Sequence, residues 1–164
     1  MENNNIEDIE RDFLNKINNP KLEVSVISKY PLKYNYGTDS GFDLYSDIDS
    51  FTLKPLERKL VPTSTFIDIP LNYELQVRPK SGRAIKEGLG VLNSPGTVDN
   101  GYTDEIKVIL VNFSNSNIVI EKGQKVAQGV LSPVLQGKFI TFKIVDKIND
   151  KDRNFNGFGS TGLR

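Results

Sequence analysis

The chain has 164 residues, which is long enough for one domain with a substantial hydrophobic core. Its 21 Lys and Arg residues balance 21 Asp and Glu residues, so the formal net charge is zero. Proteins that coat nucleic acids or bind membrane surfaces usually carry an excess of basic residues. We therefore expect neither a nucleic acid nor a membrane as a partner.

Cys and His are both missing from the chain, and their absence narrows the possible chemistry. Without Cys there are no disulfides, thiol nucleophiles or Cys-ligated zinc, and without His there is no Ser-His-Asp triad and no histidine base. Acid–base catalysis is left to Asp, Glu, Lys or Tyr, and a bound metal would be a hard ion such as Mg2+. No apolar run reaches membrane-spanning length and no signal-peptide pattern opens the chain, so we expect a soluble, cytoplasmic protein.

The first segment in chain order is residues 1–20, which are rich in Asn, Asp and Glu. Apolar residues recur in this segment at helical spacing, namely Ile6, Ile9, Phe13, Leu14 and Ile17. A short amphipathic helix and a partly ordered tail both fit the pattern. We treat residues 1–20 as an N-terminal extension.

Residues 21–148 consist mainly of short runs that favour β-strands. These runs are 22–26, 51–53, 59–61, 65–69, 73–77, 106–113, 118–120, 125–131 and 139–145. Turn signals separate them, and one short helix fits near residues 83–87. Many short strands at this spacing predict an all-β sandwich, barrel or jelly roll.

A basic segment follows the strand predicted at 73–77. The sequence RPKSGR at residues 78–83 combines three cations with a hydroxyl and a glycine. Ser81 and the N–H groups beside Gly82 are suited to binding an anion, with Lys80 or Arg83 supplying charge. The spacing is not that of a P-loop, and an ordinary basic turn explains the same residues.

Residues 93–102, with the sequence NSPGTVDNGY, form a second candidate segment. Asn100-Gly101 predicts a two-residue hairpin turn, with Asp99 beside it and Tyr102 just after it. A carboxylate on a rigid turn can orient and deprotonate a water molecule. Spacing alone favours the alternative, in which Asp99 only bonds the turn backbone.

Two further segments carry polar residues in unusual places. Gln128 lies within the otherwise apolar strand predicted at 125–131, which indicates either a hydrogen-bonding role or an exposed strand face. Residues 153–162, with the sequence RNFNGFGSTG, are able to wrap a polyphosphate with backbone N–H groups, and Phe158 is able to stack on a base. An ordinary polar terminus is the alternative for the last segment.

Together and in this order, the segments resemble the five motifs of the dUTPase family. The matching segments are residues 41–46 (GFDLYS), 78–82, 93–106, 123–128 and 153–162. The resemblance covers about residues 21–164 and implies a jelly-roll-like β fold with a flexible C-terminal arm at 149–164. It also implies a homotrimer with shared active sites that hydrolyses dUTP to dUMP and pyrophosphate, limiting uracil in DNA and supplying dUMP for dTMP synthesis.

The resemblance implies roles for single residues. Asp99 corresponds to the carboxylate that orients the water attacking the α-phosphorus. Tyr102 corresponds to the ring that packs on deoxyribose and excludes a 2′-hydroxyl, and Asp43 to a structural Asp near the water shell of the metal. The other expected substrate contacts are Lys80, Ser81, Gly82 and Gln128 for the phosphates, Asn93, Gly96, Thr97 and Val98 for uracil, and Arg153, Phe158, Gly159, Ser160 and Thr161 in the arm. The cofactor would be Mg2+ held by the phosphates and water, with no direct protein ligand.

Some positions depart from the pattern of the resembled family. Lys80 stands where Arg is usual, which replaces a bidentate fork by a point charge. Arg83 stands where Leu is common, and the sequences at 100–101, 103–104 and 154–156 also differ. Two alternatives remain open: a dCTP deaminase, which shares the fold but fits the third motif less well, and a related binding protein that contacts a partner through residues 1–20.

Overall fold

β-strands dominate the part of the chain that the computed structural model describes, residues 22–149. Within this range there are eleven strands, one α-helix and one 3-10 helix: β1 (Val26–Ser28), β2 (Phe42–Tyr45), β3 (Phe51–Leu53), β4 (Arg58–Pro62), β5 (Thr65–Ile67), β6 (Tyr73–Arg78), α1 (Ser81–Glu87), β7 (Leu89–Val91), β8 (Gly96–Val98), β9 (Lys107–Asn112), β10 (Ile118–Ile120), β11 (Lys125–Pro133) and the 3-10 helix Gly137–Phe139. The all-β prediction is confirmed, although the sheets in this range do not close into a barrel. The predictions for residues 1–20 and for residues 150–164 of the arm lie outside the described residues.

Four antiparallel sheets organise the strands. The largest has the order β2-β11-β6-β8, a second has the order β4-β9-β7, and the pairs β1-β5 and β10-β3 complete the arrangement. Alternation decides which side of each strand is buried. On β6, for example, Leu75 and Val77 are buried, while Gln76 and Arg78 point to the opposite, more accessible face.

The hydrophobic core lies between these sheets. Its members come from strands far apart in the sequence, including Leu44, Leu75 and Leu110, none of which is exposed to solvent. Burial of one such Leu side chain contributes about 1.5–3 kcal/mol to the free energy of unfolding. The core therefore holds the strands that carry the sequence motifs in a fixed relation to one another.

Asp47 links three loops at the surface of this core. Its carboxylate accepts hydrogen bonds from Lys29 Nζ (2.8 Å), from the Tyr30 hydroxyl (2.9 Å) and from the Ser64 hydroxyl. The bond from Lys29, then that from Ser64, outweighs the effect of burial and holds the pKa of Asp47 well below its usual value. Asp47 thus ties the segment after β1 to the loop between β4 and β5.

The structure contradicts the strand predicted at 139–145. That segment contains only the end of the 3-10 helix Gly137–Phe139, followed by residues without regular structure. A strand-favouring sequence needs a pairing partner, and no strand in residues 22–149 pairs with this segment. The first predicted strand is also displaced, because pairing with β5 begins only at Val26.

The hairpin predicted at Asn100-Gly101 is wrong as well. A turn is present, closed by a 3.0 Å hydrogen bond from Tyr102 N to Asp99 O. Neither central residue has a positive φ, which a type I′ hairpin turn requires. The turn leads from β8 to β9, which belong to different sheets, so it changes sheets instead of closing a hairpin.

No helix in residues 22–149 has the length and apolar character needed to cross a membrane.

Candidate active site

Residues from three of the sequence motifs lie side by side on the four-stranded sheet. Gln128 of β11 pairs with Asp43 of β2 on one side and with Arg78 of β6 on the other. Directly opposed residues of antiparallel strands point to the same face of a sheet. The segments at 41–46, 78–82 and 123–128, which are distant in sequence, therefore meet at one level of this face.

Asp43 is the charged centre of this group. It is buried (7% exposed), and its two carboxylate oxygens bind different lysines: Oδ1 pairs with Lys80 Nζ, and Oδ2 lies 2.6 Å from Lys125 Nζ. Burial alone would raise the pKa of the carboxyl, but the hydrogen bonds from Lys125 and Lys80 outweigh burial and lower it. Asp43 is consequently ionised and held by two cations.

Gln128 is held in place by two neighbours. Its Nε2 donates a 3.0 Å hydrogen bond to Pro79 O, which fixes the loop before α1. A Cβ atom at Gly41 would lie only 2.5 Å from Gln128 Oε1, so a glycine there leaves space for the amide. The Gln128 amide is thus bound to the backbone at Pro79, and its Oε1 faces the segment at 41–46.

Neighbouring side chains bind the three cations of the segment 78–83. Arg78 donates to Gln76 Oε1 (2.9 Å from Nε), and Arg83 pairs with Glu87 at 2.5 Å. Lys80 precedes α1 in an extended conformation, and its side chain pairs with Asp43. Arg83 is therefore a weaker candidate than Lys80 for supplying charge to an anion.

Ser81 and Gly82 begin α1 and are both exposed. The carbonyl of Lys80 accepts the N–H groups of Arg83 (3.1 Å) and Ala84 (2.9 Å), which closes the first turn. The N-cap residue is Lys80, and no side-chain hydrogen bond caps the helix. The Ser81 hydroxyl is thus accessible beside Lys80.

The third motif forms a separate group at the end of β8. Asp99 is exposed and follows Val98 directly. Tyr102 is 41% exposed, and its hydroxyl donates a 2.9 Å hydrogen bond to Glu105 O, which orients the ring beside the turn. The arrangement places an exposed carboxylate and an accessible aromatic ring on one anchored turn.

The other expected uracil contacts lie on the same segment. Gly96 is buried, and a Cβ atom there would lie 3.1 Å from Asn93 Nδ2, so the Asn93 amide packs directly over the glycine. Thr97 is exposed, and Val98 is partly buried. Exposed and buried positions thus alternate along β8 before the turn.

One chain does not bring the two groups together. Val98 pairs with Leu75 on β6, whereas Gln128 pairs with Arg78, three residues farther along the same strand. Asp99 lies one residue beyond Val98, so four residues separate the two levels, or roughly 13 Å at the usual rise of a strand. The polar row at Asp43 and the turn at Asp99 are separate half-sites within one chain.

Lys125 is the site residue that the sequence patterns missed. Strict alternation would place it on the face opposite Gln128, in the core. A β-bulge between Lys125 and Ala127 changes this, because Tyr45 pairs with Lys125 and Leu44 with Ala127. Val126 and Ala127 are both buried as a result, and Lys125 joins the polar face. Sequence periodicity carries no signal for the bulge.

The expected arm contacts Arg153, Phe158, Gly159, Ser160 and Thr161 lie outside the described residues. Within residues 22–149, acidic side chains form no group of three or more that is able to hold a metal ion.

Comparisons with known proteins agree on one family. The dUTPase family model matches residues 30–162. A deoxyuridine 5′-triphosphate nucleotidohydrolase of Nautilia profundicola is 44% identical over 87% of this chain and 99% of that protein. One from a Hydrogenobaculum species is 46% identical over 76% of this chain and 85% of that protein. Among solved structures, a mutant dUTPase of Staphylococcus bacteriophage 80alpha with dUpNHpp has the same fold, with a TM-score of 0.76 and 23% identity over 86% of this chain and 99% of that chain.

Proposed function

The chain belongs to the dUTPase family, and on that basis we propose that it hydrolyses dUTP to dUMP and pyrophosphate. The observation that carries the proposal is the 44% identity to a deoxyuridine triphosphate nucleotidohydrolase over 99% of that protein. The half-sites fit the reaction, since one offers a carboxylate beside an aromatic ring and the other a hydroxyl beside a lysine. The cellular consequence would be less uracil in DNA and a supply of dUMP for dTMP synthesis.

In the proposed mechanism, Asp99 orients and deprotonates the water that attacks the α-phosphorus. Its position on an exposed, anchored turn leaves the carboxylate free to reach a water molecule. Phosphoryl transfer depends on positioning and charge stabilisation more than on covalent catalysis. A chain without His or Cys therefore has the groups that this reaction needs.

Substrate selection is assigned to the segment from 93 to 102. Asn93, Gly96, Thr97 and the backbone at Val98 would read the uracil edge. The Tyr102 ring, held by its bond to Glu105 O, would pack on the deoxyribose and leave no room for a 2′-hydroxyl. We expect dUTP to be preferred over UTP for this reason.

The phosphates are assigned to the second half-site. Lys80, Ser81, Gly82 and Gln128 would contact them, with the arm residues Arg153, Phe158, Gly159, Ser160 and Thr161 covering the nucleotide. Lys80 supplies a point charge in place of a guanidinium fork, so the phosphate contact depends on charge more than on geometry.

A homotrimer would unite the two half-sites. The separation of roughly 13 Å between the levels of Asp99 and Gln128 supports this proposal, because the two groups do not adjoin within one chain. An uncovered apolar face on the sheet β4-β9-β7 supports it as well: Leu60 is 56% exposed, Leu92 47% and Phe113 61%. Such patches on globular proteins usually mark contact surfaces.

Mg2+ fits the proposal as a partner of the substrate. Triphosphate oxygens are the hard ligands that Mg2+ prefers. The ion would supply positive charge that neutralises part of the phosphate charge. The residues of this chain would then bind the complex through Lys80 and Ser81.

Pyrophosphate release from dUTP, UTP and dCTP by the purified protein tests the proposal. We expect Mg2+-dependent release from dUTP alone, and Asp99→Asn should bind dUTP yet react at least ~100-fold more slowly, as is usual for a lost general base. Full activity of that variant would refute the role of Asp99. Ammonia release from dCTP without pyrophosphate would instead favour the deaminase.

A further inference from the structure

Asp43 binds two lysines, one beside the proposed phosphate contacts and one on β11. Lys80 occupies Oδ1 and Lys125 occupies Oδ2, so neither lysine blocks the other. The Lys80 side chain is 29% exposed, and Asp43 only 10%. A phosphate can therefore approach Lys80 from solvent but cannot approach it without competing with Asp43.

We propose that Lys125 is a positioning residue that keeps Asp43 paired and thereby releases Lys80 to bind a substrate phosphate. The inference rests on the proposed function, because it concerns the phosphate half-site of the same reaction. In the free protein Lys80 rests on Asp43. When a triphosphate binds, Lys80 moves to the phosphate, and Lys125 remains as the counter-ion of the buried carboxylate.

Electrostatics supply the reason that Lys125 is needed. A buried carboxylate that loses its partners pays a large desolvation penalty. With Lys125 in place, Asp43 never becomes an unpaired buried charge when Lys80 leaves. Without Lys125, Asp43 would have Lys80 as its only counter-ion. Asp43 would then compete more strongly with the phosphate for Lys80.

The β-bulge of β11 is the structural device that makes this sharing possible. It moves Lys125 to the face that carries Asp43 and Gln128, while Val126 and Ala127 stay in the core. The Lys125 backbone is held too, since its carbonyl accepts a 3.4 Å hydrogen bond from Arg83 Nη1. Lys125 is thus held on a strand beside Asp43, whereas Lys80 is the N-cap residue of the short helix α1.

Steady-state kinetics on the full chain tests this with Lys125→Met, Asp43→Asn and the double variant. Lys125→Met should raise KM for dUTP roughly tenfold, the scale of one charged hydrogen bond, with kcat within about twofold. Adding Asp43→Asn should abolish this rise in KM, because no carboxylate then competes with the phosphate for Lys80. The double variant should have the KM of Asp43→Asn alone, within about twofold.

Lys122→Met is the matched control. Lys122 is as exposed as Lys125 (47% against 46%), but its carboxylate partners are Asp47 and Asp49, each at 3.7 Å, instead of Asp43, so its loss should leave KM unchanged. If Lys125→Met does not fold, Lys125→Gln keeps a donor to Asp43 without the charge and should raise KM to a smaller extent.

Three results would overturn the inference. These are an unchanged KM in Lys125→Met, a raised KM that Asp43→Asn does not relieve, and an equal effect of Lys122→Met. The second result would show that Lys125 contacts the phosphate directly. Binding of dUpNHpp and hydrolysis of dUTP by the unaltered protein separate failure of this inference from failure of the proposed function. If only the inference fails, the unaltered protein still binds dUpNHpp and hydrolyses dUTP.

Discussion

Mixing two inactive variants should restore activity if the proposed active site takes its residues from different copies of the chain. Asp99→Asn removes the proposed base of one half-site, and Ser81→Ala removes a proposed phosphate contact of the other. Both side chains are exposed, so we expect both variants to fold. Each alone should lose activity on the order of 100-fold.

The structure gives the expected magnitude. Asp99 and Gln128 stand at levels roughly 13 Å apart on one chain, so the two groups do not adjoin within it. In the proposed shared site, Asp99 of one copy would act together with Ser81 of another. In randomly mixed trimers of equal amounts of the variants, about one quarter of the sites would carry both intact residues.

The assay is pyrophosphate release from dUTP after the two variants are unfolded together and refolded. We expect about one quarter of the activity of the unaltered protein. A chain carrying both substitutions, mixed equally with the unaltered chain, is the control: shared sites predict about one quarter and single-chain sites about one half. Variant mixtures that stay at background, although affinity tags prove that mixed oligomers formed, would refute the shared site.

Three further predictions follow from local geometry. Gly41→Ala should raise KM for dUTP several-fold with little loss of stability, because the added Cβ would lie 2.5 Å from Gln128 Oε1 and would displace the end of that side chain. Gly37→Ala is the control, since a Cβ there would have nothing within 4 Å. Equal KM values for the two variants would contradict the reasoning. Tyr102→Phe removes the hydrogen bond that orients the ring, so kcat/KM for UTP relative to dUTP should rise by roughly three- to tenfold, and an unchanged ratio would count against the sugar-sensing role. Asp47 has a lowered pKa in the folded protein, so its stabilising effect is complete above the pKa of the unfolded carboxyl and is lost as the pH falls below it. The difference in Tm between the unaltered protein and Asp47→Asn should therefore shrink below about pH 4, and a difference that grows there would show the sign to be wrong.

Local pattern was sufficient for much of the fold. On β6 the alternation of Leu75 and Val77 with polar neighbours predicts both the strand and its buried face, and the structure agrees. The strand at 118–120 and the helix that contains residues 83–87 were predicted equally well. These elements are decided by residues within a few positions of one another, which a single sequence records directly.

The candidate site was only partly predictable. The order of the motifs identified Asp99, Ser81 and Gln128, but spacing alone favoured a purely structural explanation for Asp99. No sequence pattern indicates that Arg83 is neutralised by Glu87 or that Lys125 reaches Asp43. Those contacts depend on which strands lie side by side.

Composition, alternation and the order of five motifs thus determined the all-β class, the family and the residue types available for catalysis. Tertiary structure alone decided that residues 139–145 are not a strand, that the turn at Asn100-Gly101 changes sheets, and that the two half-sites are separate. The physical reason is register: a one-residue bulge at Val126 moves Lys125 from the core face to the polar face. Such a shift is set by cross-strand pairing and packing between distant segments, and these have no trace in the local sequence.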